Sequence, residues 1–533
     1  MELEGKRQMT SRTCKEIFQI IVRYMIDWFC VFYGSLFNLS KKHYIPAITD
    51  PMLMCPALTI ADRIRNREWK AYDVMNAYLK RIKDVNPFIN AVIDLREEAL
   101  VDAAKIDEIL NENSVKTIQL KNKPLLGVPF TCKDTVCVKG MRLTTGIYNR
   151  RHNRATEDAD VVTRLREAGA IPIAITNVPE HAIWWDTENM IFGRTNNPYD
   201  LSRIAGGSSG GEAALIACAG SVFGIGTDSG GSIRLPSFFC GIFGHKATPA
   251  IISTKGIFEQ PDQQRENYYS IGPMCRYASD LLPILKIMIG DVDVVVPSMN
   301  NYVDFSKINI YYMEDDFDAT KTPVSEEIKE GLCKAVKYFR DIYKTKCEAH
   351  YFPKMKDSLS IWIAVMKSIS VKRMEEYLAE GEDLDKIDIA KELIKSFFGL
   401  SKHTTSILFV ALSEKMFTDK PELIDKELRK MTQLRQEFRD KLRDNGVFLY
   451  PTHPETAPKH GTTIFKSNNV GFVSIFNVIN TPVTQCTLGL TTDGMPFGIQ
   501  VVSNECNDYL AITVATELAN VFGGWVAPCV VHC

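Results

Sequence analysis

The sequence predicts an α/β fold built as one large domain, and three observations carry that expectation. Asp160–Glu167 has helical apolar spacing and is followed, after Gly169, by the apolar run Ile171–Ile175, a helix-then-strand step that implies an α/β layer. The stretch between Ala205 and Gly244 is dense in glycine, which marks backbone that turns sharply or lies very close to another group. No internal repeat and no flexible Ser/Gly linker divides the 533 residues, so separable domains are not indicated.

The elements follow in chain order. Ile17–Phe37 (IFQIIVRYMIDWFCVFYGSLF) is long enough, at about 1.5 Å per residue, to cross a hydrocarbon core about 30 Å thick. Gln19, Arg23 and Asp27 interrupt it at helical spacing and form one polar stripe, so a spanning helix and an interfacial amphipathic helix both stay open. The apolar run is too long for a typical signal peptide, and a helix packed on the protein's own core is the remaining alternative. Lys6, Arg7, Arg12 and Lys15 precede the run and Lys41 and Lys42 follow it, which gives no clear orientation. Asn38-Leu-Ser40 is a glycosylation acceptor only if that side is lumenal. Residues 1–45 are therefore read as a membrane-anchor helix with its flanks.

Leu58–Lys83 reads as one long helix stopped by Asn86-Pro87. From about Lys307 a strand (INIYYM) leads into charged helical sequence as far as about Asp444, and residues 305–445 are read as a mainly helical insertion. Within it, the apolar Phe397–Leu412 reads either as a second membrane-contact patch or as buried helix packing. GVFLYP (446–451) and PFGIQVV (496–502) read as strands, and residues 528–533 as a tail.

Composition excludes several function classes. Sixty-three Lys+Arg against 65 Asp+Glu leave a net charge of -2, so no basic excess exists to neutralise phosphates and nucleic acid is not an expected partner. The 14 cysteines are scattered without a CxxC pair, which points to reduced thiols rather than a disulfide framework or zinc ribbon. No HExxH occurs, and Cys529-x-x-His532-Cys533 reads as a frayed tail, so no metal site is expected.

Gly206-Gly-Ser-Ser-Gly210 satisfies G-x-S-x-G, but Tyr199–Ala205 before it is a poor strand. A Ser-His-Asp esterase using His453, His460 or His532 is thus an alternative, and a phosphate loop is excluded by the missing G-K-[ST]. What remains is Ser208 and Ser232, each beside consecutive glycines, and Lys133 at the end of the apolar run from Leu126. A lysine stripped of water there becomes a neutral amine that accepts a proton, which permits a lysine-activated serine nucleophile.

Gly206–Glu212 (GGSSGGE), Gly226–Pro236 (GTDSGGSIRLP) and Gly241–Lys246 (GIFGHK), in this order after Lys133, resemble the amidase signature family. DVVTRLREAGAIPIAITNVPE, GRTNNP and GMPFGIQ extend the likeness over roughly residues 50–525. KDVNPFIN, GRTNNPYD, GPMCRYASDL, GVFLYPTHP and TPVTQCTLGL look like the fatty acid amide hydrolases of the second animal type within it.

The resemblance implies one hydrolase domain over 46–527, with a mixed twisted β-sheet core surrounded by helices. It implies Ser232 as nucleophile, Ser208 as relay after a cis peptide at Gly207, and Lys133 as base. The backbone N–H groups of Ser229, Gly230, Gly231 and Ser232 would form the oxyanion hole. Ser208 and Ala182 would bind substrate, Ile183, Trp184 and Trp185 would line an acyl channel, and Asp228 and Arg234 would brace the loop. Position 229 departs from the family, which more often has an aliphatic residue there. No cofactor is implied. The implied partners are a lipid amide substrate and an intracellular membrane, and a homodimer is left open. The other readings are an amidase for small or polar amides or esters, and a non-catalytic membrane scaffold.

Overall fold

Alternate residues of one strand enter two different apolar clusters, which sets the layering of the protein. In strand Gly446–Pro451, Val447 and Leu449 join one buried cluster while Phe448 and Tyr450 join another, so the sheet is covered on both faces. The computed structural model describes residues 14–37, 44–112, 115–291, 295–296, 299, 302–370, 372–380, 385–416 and 420–532.

The strands are β1 (Val92–Leu95), β2 (Pro129–Lys133), β3 (Ile171–Thr176), β4 (Glu188–Asn189), β5 (Gly193–Arg194), β6 (Phe223–Asp228), β7 (Phe243–Lys246), β8 (Ser270–Cys275), β9 (Asn309–Tyr312), β10 (Lys346–Ala349), β11 (Gly446–Pro451), β12 (Val483–Leu490) and β13 (Pro496–Ser503). Eleven form one mixed sheet in the order β1-β3-β2-β6-β8-β7-β12-β13-β11-β9-β10, and β4 and β5 make a separate ribbon. β2 runs parallel to β3 and to β6, with Cys132 opposite Ile225. The carboxyl ends of β2 and β6 therefore reach the same side of the sheet, where open α/β sheets commonly hold ligands.

The helices needed below are α1 (Cys14–Phe37), α2 (Ala57–Arg65), α3 (Ala71–Ile89), α4 (Asp160–Glu167), α5 (Gly210–Ala217), α6 (Arg234–Phe239), α7 (Glu326–Ile342), α8 (Ser358–Ile369), α9 (Ile389–Phe397), α10 (Thr405–Met416), α11 (Pro421–Leu442) and α12 (Gly471–Val478). The single helix expected from Leu58 to Lys83 is two, α2 and α3. The chain leaves α2 through Arg67, whose φ of 61° ends a helix in the left-handed region, and α3 continues through Pro87 to Ile89. Segment 305–445 holds α7 to α11 and also supplies β9 and β10, which extend the sheet beside β11 in parallel.

The spanning reading of the N-terminal segment is not supported by the described residues. Among the described residues no helix is long and apolar enough to cross a membrane. The polar stripe faces the rest of the protein. Arg23 donates to the Lys321 carbonyl at 3.4 Å, Asp27 lies 3.6 Å from Lys466 Nζ, and the Phe29 ring meets Phe465 edge-on at 5.3 Å. Phe18, Ile21, Tyr24, Met25 and Trp28 are exposed, Trp28 by 79%. The flanking Lys6, Arg7, Arg12, Lys41 and Lys42 and the Asn38-Leu-Ser40 acceptor lie outside the described residues.

Two other expectations change. The C-terminal residues do not fray: Ile48 N–H donates to the Val530 carbonyl at 2.9 Å, His532 N–H donates back to Ile48 at 2.8 Å, and Arg81 reaches Cys529 Sγ at 3.4 Å. Cys533 lies outside the described residues, and among those described no group of His, Cys, Asp and Glu is arranged to hold a metal. Phe397–Leu412 divides between its two readings, because Phe397, Phe398 and Leu400 are exposed while Ile407, Leu408 and Ala411 are buried with Ile387 and Ile389.

Candidate active site

Lys133 is the last residue of β2, a strand buried along its whole length. Its Nζ lies 2.7 Å from Ser208 Oγ and 2.7 Å from Thr227 Oγ1 near the end of β6. Only 1% of Lys133 is exposed, and loss of solvation lowers its pKa to about 7 although Asp228 and Glu212 favour the charge. Burial pushes the Glu212 carboxyl up to about 8; it accepts hydrogen bonds from Thr131 at 2.6 Å and Thr176 at 2.9 Å. Burial thus lowers the lysine and raises the carboxyl, each toward its neutral form.

Ser208 precedes α5 and Ser232 precedes α6, and the Gly207–Ser208 peptide is cis. The two loops are joined where Ser209 N–H donates to the Ser232 carbonyl at 3.2 Å. Gly207 presses on the segment before it: a Cβ there would fall 2.5 Å from the Trp184 carbonyl oxygen. Any side chain at 207 would push that segment away from Ser208.

The turn between Asp228 and Arg234 is held by a buried ion pair. Arg234 reaches both carboxylate oxygens of Asp228, at 3.0 and 3.1 Å, and neither side chain is exposed. Burial alone would raise Asp228, but the guanidinium holds its carboxyl well below the usual range. Asp228 also accepts from the N–H groups of Gly231 at 2.7 Å and Ile233 at 3.0 Å. One of the four N–H groups expected as oxyanion donors, that of Gly231, is thus committed to Asp228. The N–H groups of Ser229, Gly230 and Ser232 have no acceptor among the described residues. Gly231 adopts φ 114°, and a Cβ there would lie 2.3 Å from Val473 on α12.

The remaining expected residues are only partly brought together. Ala182 and His181 both have positive φ, near 53° and 55°, in a turn pinned by Glu180. That buried carboxylate accepts from His403 Nδ1 at 2.7 Å and from Thr404 N–H at 2.8 Å, just before α10. Trp184 donates to Thr463 Oγ1 at 3.0 Å and meets Phe409 of α10 edge-on at 6.1 Å. Trp185 turns inward beside Phe239 and His453, and Ile183 is exposed. His453 donates to or accepts from nothing near the serines: its Nδ1 contacts the Glu455 carbonyl at 2.8 Å, and burial lowers its pKa to about 3. His460 faces Asp186 and Leu201, and the His532 N–H pairs with Ile48, so none of these three histidines joins Ser208 or Ser232. Thr227 contacts Lys133, Val473 abuts Gly231, and Trp362 Nε1–H donates to the Ser229 carbonyl; none of the three was expected. Thr227 stood inside the GTDSGGS motif, whereas nothing local marks the other two.

Residues 73–512 match the family described as Amidase. The chain belongs to the amidase family. As an amidase it is an amide hydrolase, and it is related to two curated members in particular. It is 41% identical to the human protein named fatty-acid amide hydrolase 2 over 487 residues, covering 90% of this chain and 91% of that one. It is 39% identical to fatty-acid amide hydrolase 2-B of Danio rerio, covering 92% and 94%. A solved structure named fatty acid amide hydrolase superposes with a TM-score of 0.68 at 21% identity, over 90% of this amidase and 86% of that chain, which establishes a shared fold.

Proposed function

We propose that this amidase hydrolyses fatty acid amides at a membrane surface through a Ser232–Ser208–Lys133 relay. The observation that carries the reading is the 2.7 Å contact between Ser208 Oγ and a buried Lys133 whose pKa is about 7. A neutral amine has one lone pair, so Lys133 takes the Ser208 proton while Ser208 takes the proton of Ser232. Ser232 Oγ forms a bond to the substrate carbonyl carbon, and the carbonyl oxygen becomes an oxyanion facing the N–H groups of Ser229, Gly230 and Ser232. As the carbon–nitrogen bond breaks, the proton returns through Ser208 to the departing amine. Water then attacks the acyl-Ser232 ester, giving its proton to the same relay and releasing the fatty acid.

The substrate class rests on the names of the relatives and on the apolar ring pair of Trp184 and Phe409, in the segment whose backbone abuts Gly207. Each buried CH₂ of an acyl chain would contribute about 0.8 kcal/mol there. Membrane contact rests on the outward apolar face of α1 and on exposed Phe397, Phe398 and Leu400.

Purified wild type should label with a fluorophosphonate and turn over oleamide in preference to acetamide, and Ser232→Ala should lose both labelling and hydrolysis. Retained hydrolysis by Ser232→Ala would overturn the nucleophile. Equal kcat/KM for oleamide and acetamide would overturn the substrate class.

A further inference from the structure

Trp362 lies on α8, inside the mainly helical segment and more than a hundred residues after the serines. Its Nε1–H nevertheless donates to the Ser229 carbonyl at 2.9 Å. The same ring packs on the next residue: a Cβ at Gly230 would stand 3.0 Å from Trp362 Cζ2 and 3.3 Å from Cε2. The peptide between Ser229 and Gly230 is trans, so its C=O and N–H point in opposite directions from one rigid plane. Fastening the carbonyl to the indole therefore aims the Gly230 N–H away from Trp362.

We propose that Trp362 is a positioning residue that orients the Gly230 N–H as an oxyanion donor, an inference that rests on the Ser232 mechanism above. The neighbouring peptides are fixed by other means. The Gly231 N–H is held by Asp228, and Gly231 itself is wedged against Val473. Trp362 supplies the missing constraint on the plane between Ser229 and Gly230. Ser at position 229 is compatible with this, because the carbonyl and not the side chain is what the indole grips. A Cβ at 230 would crowd the ring, which would have to shift by a few tenths of an ångström to admit it.

Trp362→Phe removes the N–H and keeps an aromatic ring on α8. Losing one oxyanion donor typically costs about 10²–10³ in rate, so a donor left in place but free to swing should cost about 10- to 100-fold in kcat with KM within about 2-fold. The decisive readout compares two inhibitors of one chain length. A trifluoromethyl ketone is attacked by Ser232 to give an oxyanion, and the corresponding alcohol gives none. Trp362→Phe should weaken the ketone in proportion to the loss of kcat/KM and leave the alcohol unchanged.

Unchanged kcat and ketone affinity would overturn the proposal, and so would an equal loss for both inhibitors, which would mark Trp362 as packing alone. Trp362→Tyr is read in the same way, with unfolding followed by Tm, and loss of folding in both variants would assign Trp362 to the core and overturn the positioning role. If wild type itself fails to react with fluorophosphonate or ketone, the mechanism fails and not merely the role of Trp362.

Discussion

Lys133 sets the pH range in which the proposed relay works. Below pH 7 it carries a proton and has no lone pair to offer; as pH rises through its pKa of about 7 it becomes neutral. The ratio kcat/KM should therefore rise across pH 6–8 and level off above, and a pH–rate profile checks it. Lys246 is also buried with a pKa lowered to about 7 by loss of solvation, but among the described residues its Nζ hydrogen-bonds Ala247 and Ser270 and neither serine of the relay, so Lys246→Met should keep that limb. Lys133→Arg should be inactive at every pH, because a guanidinium stays charged. At this scale the sequence was informative where the chemistry is local. Ser208, Ser232, Asp228 and Arg234 sit in two short glycine-rich runs, and the likeness of those runs to the family is what suggested their roles. The commitment of the Gly231 N–H to Asp228 was not legible, since it depends on backbone direction. Trp362 was not legible either, because a tryptophan on a helix reads as core and its partner is the carbonyl of a residue 133 positions away.

The stripe of Gln19, Arg23 and Asp27 was visible as a pattern, but helical periodicity defines two faces without saying which one packs inward. Here it is the polar face that packs, through Lys321 and Lys466, and the apolar face that looks out. Burying a large apolar side chain contributes about 1.5–3 kcal/mol, so replacing Phe18, Met25 and Trp28 together by Ser should lower vesicle affinity at least about 10-fold. Sedimentation with zwitterionic vesicles measures this, and turnover of a short, soluble amide should stay unchanged. Because the net charge is only -2, binding should also change little with salt. Unaltered sedimentation of the triple variant would remove α1 from the membrane contact. The α2–α3 break shows a similar limit: the apolar spacing continues across Asn66–Lys70, and only the left-handed Arg67 reveals the turn.

Across the whole molecule, the strand INIYYM was readable but its place was not. Pairing of β9 with β11 brings together residues such as Asn309 and Asn445, 136 positions apart, and no local pattern specifies such a register. Segment 305–445 is consequently part of the sheet rather than an appendage to it. Its removal would expose the edge of β11 and take away α8 with Trp362. A chain lacking 305–445 should aggregate, whereas a separable insertion would leave a soluble monomer on size exclusion. The same continuity gives the Glu180 contacts a mechanical meaning. The exposed apolar hairpin bearing Phe397, Phe398 and Leu400 leads directly into His403 and Thr404, and both grip the carboxylate that anchors the turn of Ala182 and Trp184. The outer surface and the turn of Ala182 and Trp184 share one hinge pin, so the hairpin cannot shift without dragging that turn or tearing loose from it.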